Sequence, residues 1–169
     1  IVSIASVGGI RADLGPGTLV IPHQIIDYTW GRKATFHEGG NAPVVHIGFT
    51  QPYDPELRQV LLAAARDAGQ GVVDGGVYAA MQGPRLETAA EIDRLERDGA
   101  DLVGMTGMPE AALARELELP YAAITVVSNH AAGRGDSKLG IQFASLEDIL
   151  RESMERVRRI IEMICLDGK

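Results

Sequence analysis

The sequence contains a single cysteine, Cys165, near the end of its 169 residues. One cysteine excludes an intrachain disulfide framework and a zinc site built from several cysteines. The lack of disulfides is typical of proteins in reducing compartments. We therefore expect a cytoplasmic protein. The four histidines show no metal-ligand spacing, so no metal site is predicted.

Positive charge and long apolar runs are also scarce. The chain has 16 Lys and Arg residues against 23 Asp and Glu residues, a formal net charge of −7. Binding to nucleic acids or to anionic membranes relies on clustered basic residues, so we expect neither partner. No apolar run approaches the length of a membrane span, and the first residues lack the basic region of a signal peptide.

The chain has no initial methionine and opens on an apolar, strand-like run at residues 1–4. Native termini rarely begin inside a core strand. We therefore expect a single domain over residues 1–169 that lacks an N-terminal segment of its fold.

Short strand-like runs alternate with amphipathic helical patterns, which predicts an α/β fold. Strands are predicted at residues 2–6, 18–22, 44–49, 76–81, 101–105 and 121–127. Helices are predicted from Asp54-Pro55, at residues 86–97, after Pro109 and from Ser145. Residues 27–41 and 130–142 are predicted loops.

Four motifs carry a family resemblance. They are Gly-Pro-Arg-Leu-Glu-Thr at 83–88, Gly-Met-Thr at 104–106 with Pro-Glu at 109–110, Val-Ser-Asn at 127–129, and Ala-Ser-Val-Gly-Gly-Ile at 5–10. Together they resemble the trimeric purine nucleoside phosphorylases and methylthioadenosine phosphorylases over essentially the whole chain. The stretch at 104–111 is similar to the branch that acts on methylthioinosine.

The resemblance implies a three-layer α/β fold with a twisted, mixed central sheet flanked by helices. It also implies reversible phosphorolysis of a purine nucleoside, with inorganic phosphate as co-substrate and no cofactor. The family carries a Gly-rich phosphate loop and an Arg-His pair before the strand that opens this chain, and nothing here matches them. If they are truly absent, the phosphate site is incomplete.

Glu87 and Asn129 are the expected catalytic residues at the purine. An ionised Glu87 can accept the N1–H of a 6-oxopurine, and the Asn129 amide can donate to N7 or O6. Adenine-specific relatives carry Ser and Asp at these positions, so the pair favours 6-oxopurines. Taken alone, Glu87 could be a first-turn helix residue favoured by the dipole, and Asn129 a turn residue at a strand end.

The resemblance assigns the sugar and phosphate contacts as well. Met105 is expected under the ribose, and Thr106 is expected to give its hydroxyl and backbone N–H to phosphate. The other implied phosphate ligands are Ala5 and Ser6. The other implied substrate contacts are Tyr78, Leu86, His130 and Ala131. Core packing accounts for Met105, Tyr78 and Leu86 nearly as well.

The 5′ end of the sugar separates two substrates. Leu146 aligns where relatives that prefer a 5′-hydroxyl place a His. We therefore expect an apolar pocket for a methylthio group. If the register of the alignment differs, Ile141 or Phe143 would form this wall in place of Leu146. His46 matches a residue that enters this pocket from a neighbouring subunit, which implies a homotrimer.

Three functions remain open at this level. The first is a methylthioinosine phosphorylase, the second a nucleoside phosphorylase for inosine and guanosine, and the third a non-catalytic nucleoside-binding protein. A hydrolytic nucleosidase is weaker, because it needs an acid at N7 and Asn129 has no proton of that kind to give.

Overall fold

A computed structural model describes residues 1–40, 43–141 and 146–167, which form a seven-stranded mixed sheet and four α-helices. The strands are β1 Val2–Gly9, β2 Leu19–Ile21, β3 Gln24–Asp27, β4 Val73–Asp74, β5 Val77–Ala80, β6 Leu102–Gly104 and β7 Ala122–His130. The helices are α1 Pro55–Asp67, α2 Ala89–Arg97, α3 Glu110–Glu116 and α4 Leu146–Asp167, with a 3-10 turn at Gly135–Ser137. The strand order is β3-β5-β6-β1-β7-β2-β4.

The centre of the sheet contains an irregular strand pair. β1 and β7 run parallel, with Val7 beside Val127, and the register then shifts so that Gly8 pairs with Asn129. Ser128 is therefore the extra residue of a β-bulge. Because successive side chains on a strand point to opposite faces, the bulge brings Asn129 to the face of β1 that carries Ser6.

Helices cover both faces of the sheet. On one face, α1 and α4 form an apolar cluster with β2 and β7, and α2 packs on Ala79 and Val103 of β5 and β6. On the other face, α3 packs on Ala80 and Ala123. The α/β class and the mixed, three-layer arrangement predicted from the sequence are confirmed.

Five predicted strands coincide with β1, β2, β5, β6 and β7. The strand predicted at residues 44–49 is wrong, because this segment pairs with no strand of the described sheet and Val44 is 80% exposed. The sequence analysis missed β3 and β4, which have only 4 and 2 residues. Such short runs carry too few positions for an alternating pattern.

Helix starts depend on their caps. α1 begins as predicted, with the Asp54 carboxylate accepting the N–H of Leu57 at 2.7 Å. α2 begins later than predicted, because Thr88 is its N-cap and forms a capping box with Glu91. The segment before Thr88 is therefore a loop. The predicted cap Ser145 lies outside the described residues.

Within the described ranges, no helix combines the length and the apolar character needed to cross a membrane.

Candidate active site

A cavity of about 390 Å³ opens on the sheet face that carries α2 and α4. Its floor is β1 with the ends of β6 and β7, and its rim is the loop before α2 and the first residue of α4. A larger cleft of about 570 Å³ lies between α4 and the β2–β4 edge. We place the site in the smaller cavity, because all four sequence motifs meet there and none lines the larger cleft.

Glu87 lines this cavity from the loop before α2. Since it precedes the cap Thr88, the alternative that it is a first-turn helix residue is wrong. Burial raises the pKa of the Glu87 carboxyl above its ordinary value; a hydrogen bond from its own backbone N–H opposes this, the nearby Glu91 adds to it and Arg85 opposes it. A hydrogen bond from a ligand would stabilise the ionised form of this partly desolvated carboxylate.

Asn129 lines the same cavity from the end of β7, and its amide is held on both sides. Its Oδ1 accepts the hydroxyl proton of the buried Ser128 at 2.8 Å, and its Nδ2 donates to the carbonyl of His130 at 2.7 Å. An amide NH₂ has two protons. One is used by His130, so the second is available to a group in the cavity.

Thr106 lines the same cavity beyond the end of β6 and rests on the buried Tyr78. The Tyr78 hydroxyl accepts the Thr106 N–H at 3.1 Å and lies 3.1 Å from the Thr106 hydroxyl. The expectation that Thr106 gives both groups to phosphate stays a prediction. In this structure its N–H is bonded to Tyr78.

Tyr78 itself lies beneath the cavity instead of on its wall. Burial raises the pKa of its phenol, so the hydroxyl stays protonated. Gly104 makes the approach of Tyr78 to Thr106 possible, because a Cβ at this position would lie 2.4 Å from the Tyr78 hydroxyl.

Two groups of ion pairs attach the surrounding loops to α2. Arg85 pairs with Glu91 at 2.7 Å, and this contact lowers the pKa of the Glu91 carboxyl to about 2. Arg134 reaches Asp93 and Glu96, each at 2.8 Å. The loop that carries Glu87 and the loop that follows β7 are thereby joined to one helix.

The remaining wall is mostly apolar. Met105, Leu86, Ala131 and Leu146 line it as the sequence analysis placed them, together with Ile141. Ala5 and Ser6 line the floor, and Ser6 points to the open face of β1. Sequence reasoning missed Ile4, whose exposure on a central strand becomes visible only when the sheet is assembled.

Besides Tyr78, two expected residues lie elsewhere. His46 is exposed and does not line the cavity of this chain. His130 lines an adjoining cleft of about 150 Å³, which shares Asn129 and Leu146 with the cavity. Phe143 lies outside the described residues.

No cation belongs to the described cavity wall: none of its residues is Lys, Arg or His. A search of the described ranges also finds no group of three or more His, Cys, Asp or Glu side chains that could hold a metal ion. An anion in this cavity would be bound by hydroxyl and backbone N–H donors.

Comparison with known proteins agrees with this geometry. The chain is 60% identical over 136 residues to a probable S-methyl-5′-thioinosine phosphorylase of Xylella fastidiosa, covering 80% of this chain and 55% of that protein. It is 49% identical over 144 residues to a probable 6-oxopurine nucleoside phosphorylase of Thermococcus kodakarensis, covering 82% of this chain and 54% of that protein. The chain thus spans little more than half the length of these relatives.

A solved structure shares the fold. Methylthioadenosine phosphorylase from Schistosoma mansoni, in complex with tubercidin, superposes with a TM-score of 0.89 at 30% identity, covering 99% of this chain and 65% of that one. A family model described as the phosphorylase superfamily matches residues 1–165. With nearly every residue inside that match, the chain belongs to the phosphorylase superfamily.

Proposed function

We propose that the protein catalyses phosphorolysis of a 6-oxopurine nucleoside, with S-methyl-5′-thioinosine as preferred substrate and hypoxanthine and 5-methylthioribose 1-phosphate as products. One observation carries the proposal: Glu87 and Asn129 line a single cavity together with Ser6 and Thr106. A purine acceptor, a purine donor and candidate phosphate ligands therefore share one space.

The base site favours a 6-oxopurine. The Glu87 carboxylate accepts N1–H, and the free proton of the Asn129 amide is donated to N7. Adenine has a lone pair at N1, which would face the carboxylate and leave it unpaired. Such a mismatch at a charged group costs about 1.5–3 kcal/mol.

The reaction needs no covalent intermediate on the protein. A phosphate oxygen attacks C1′ of the sugar while the bond from C1′ to N9 breaks, and the electron pair of that bond goes to the purine. Negative charge grows on the base, so the bond from Asn129 to N7 strengthens in the transition state. Thr106 and the backbone at Ala5 and Ser6 bind the phosphate, and Met105 lies against the ribose.

The apolar rim supports the methylthio group as the 5′ substituent. Leu146 and Ile141 line this side of the cavity. Burial of a methylthio group there is favourable, whereas a 5′-hydroxyl would lack a hydrogen-bond partner.

A non-catalytic nucleoside-binding protein is the second candidate. It is favoured by the lack of a cation on the described cavity wall. Neutral donors bind phosphate less strongly than charged donors do. A protein that bound only the nucleoside, and no phosphate, would need no charged donor in this cavity.

We also propose a homotrimer in which His46 of one subunit enters the 5′ pocket of the next. The segment that carries His46 is exposed and includes the exposed apolar residues Val44 and Val45. Burial between subunits would remove these apolar side chains from water. The proposal is completed by inorganic phosphate as co-substrate, by the absence of any cofactor and by a cytoplasmic location.

The test compares initial rates of base release from methylthioinosine and methylthioadenosine, with and without phosphate. We expect a preference of about tenfold to a hundredfold for the 6-oxopurine, an absolute need for phosphate and a sugar 1-phosphate product. Full turnover without phosphate would identify a hydrolase. Nucleoside binding without turnover would identify the binding protein.

A further inference from the structure

One guanidinium group lies between the segments that follow β5 and β6, which lead to Glu87 and Thr106. We call the space between these two segments the fork. The guanidinium belongs to Arg32, which follows β3 in a segment without helix or strand. Its Nη2 atom donates to the carbonyls of Gln82 and Met105 at 3.1 and 3.0 Å. Three further bonds go to the Met81 carbonyl at 3.2 Å, the Gln82 side-chain oxygen at 3.1 Å and the Met108 carbonyl.

We propose that Arg32 is a positioning residue that sets the separation between the base-binding and the sugar- and phosphate-binding parts of the site. The proposal rests on the proposed function for the meaning of those parts. Neither the sequence motifs nor the lining of the cavity includes Arg32.

The sheet explains why a side chain is needed there. β5 and β6 are paired up to Ala80 beside Gly104, and the bond from Met81 N–H to the Gly104 carbonyl at 2.7 Å is the last between their main chains. Beyond it, no further main-chain hydrogen bond joins these two segments among the described residues. Arg32 then joins them, because one nitrogen of its guanidinium bonds a carbonyl on each side of the fork.

The positive charge of Arg32 is balanced by carbonyl oxygens and not by a carboxylate. None of the ion pairs found among the described residues involves Arg32. Four main-chain carbonyls converge on it. Without the guanidinium these oxygens would repel one another and lose their partners.

The two arms of the fork lead directly to the site. Gln82 precedes the loop that carries Glu87, and Met105 precedes Thr106. A change in the width of the fork therefore changes the distance from the purine acceptor to the phosphate donor. Lysine cannot replace Arg32 here, because a single ammonium lacks the planar set of donors that spans both arms.

The chain offers a matched control in Arg156 of α4. Its guanidinium donates to the carbonyls of Gly17 and Gly71 at 2.7 and 2.8 Å and to the Gln70 side-chain oxygen at 3.3 Å. These bonds also join separate segments, but at the larger cleft, away from the proposed site. Loss of Arg156 therefore reports what such a bond network contributes to stability alone.

The experiment measures steady-state kinetics of Arg32→Ala, Arg32→Lys and Arg156→Ala with nucleoside and phosphate varied in turn. We expect both Arg32 variants to lose about tenfold or more in kcat/KM for each substrate, and guanidinium ion to restore part of the activity of Arg32→Ala only. Arg156→Ala should keep the wild-type KM values even if its Tm falls. Wild-type kcat/KM values in Arg32→Lys would overturn the proposal.

A second measurement separates this inference from the proposed function. Amide hydrogen exchange is followed at residues 82–88 and 105–107 without any substrate. We expect faster exchange in Arg32→Ala than in Arg156→Ala, whether or not the wild type is a phosphorylase. Equal exchange in these segments would overturn the positioning role, whereas an inactive wild type with faster exchange would overturn only the function.

Discussion

Ser128 donates its hydroxyl proton to the Oδ1 atom of Asn129 across 2.8 Å, and together with the bond from Asn129 Nδ2 to the His130 carbonyl across 2.7 Å this determines which end of the amide is an acceptor. The carbonyl end is occupied inside the protein, and the NH₂ end is presented to the cavity. The orientation of an amide is otherwise weakly determined, since its two ends have the same shape.

The first prediction concerns this bond. Ser128→Ala removes one of the two bonds that hold the Asn129 amide, so the amide keeps only its bond to the His130 carbonyl and should be less well oriented toward N7. We expect kcat with methylthioinosine to fall about tenfold, corresponding to one net hydrogen bond, with the KM for phosphate unchanged. Initial-rate kinetics measure both quantities.

Thr125→Val is the control for Ser128→Ala. Thr125 is buried on the same strand, and its hydroxyl donates to the Val20 carbonyl at 3.1 Å, away from the cavity. The Thr125→Val substitution should lower the Tm without lowering kcat. Equal losses of kcat in the two variants would show that Ser128 acts through strand stability alone.

The second prediction compares two buried tyrosines. Tyr78→Phe removes the acceptor of the Thr106 N–H and the group that orients the Thr106 hydroxyl. If the Tyr78 hydroxyl donates its proton to the Thr106 hydroxyl oxygen, the Thr106 hydroxyl proton is left for phosphate. We therefore expect the KM for phosphate to rise about tenfold while the KM for nucleoside stays the same.

Tyr53→Phe provides the matched loss of a hydroxyl. The Tyr53 hydroxyl is buried and has no hydrogen-bond partner among the described residues. Its removal should leave both KM values unchanged and keep or raise the Tm. An unchanged phosphate KM in Tyr78→Phe would remove Tyr78 from the phosphate site.

The third prediction uses the raised pKa of Glu87. A carboxyl whose pKa is higher in the folded state favours folding at low pH, and this contribution is lost as the pH rises through the folded-state pKa. Glu87→Gln should therefore raise the Tm of the ligand-free protein at neutral pH. The gain should shrink as the pH falls through the titration of the carboxyl.

The same substitution should lower kcat/KM for methylthioinosine, because an amide is a weaker acceptor for N1–H than a carboxylate. Calorimetry across the pH range and kinetics at neutral pH together test the trade between stability and activity. A lower Tm for Glu87→Gln at neutral pH would contradict the assignment of a desolvated carboxylate.

The fourth prediction concerns the 5′ substituent. The wild type should prefer methylthioinosine over inosine by at least about tenfold in kcat/KM. Leu146→His should reverse or erase this preference, because the imidazole supplies a partner for the 5′-hydroxyl. Met154→His, at an exposed position of the same helix, is the control. A wild type that prefers inosine would refute the methylthio assignment.

Sequence patterns predicted the parts of the molecule whose structure is determined locally. The Asp54-Pro55 start of α1 is an example, because a cap and its helix are neighbours in the chain. The residues Glu87, Asn129, Met105 and Thr106 belong to the motifs that carry the family resemblance, and the structure brings them to one cavity.

Other features depend on contacts between distant segments and left no local signal. Arg32 bonds to residues about fifty to seventy-six positions away. The Tyr78 contact with Thr106 requires that Gly104 lack a side chain, a condition that appears only when two strands are placed side by side. The mostly exposed run at 44–49 resembles a strand in sequence, because an apolar pattern does not show which surface buries it.

The bulge at Ser128 limits how this site can be moved to another protein. Asn129 reaches the cavity because β7 has one residue more than β1 over the same length. A regular parallel strand pair that received the same side chains would turn the amide toward the opposite layer. A designer who wishes to transplant the proposed purine site must therefore carry over the mismatch in strand length, since substitutions on a regular backbone cannot reproduce it.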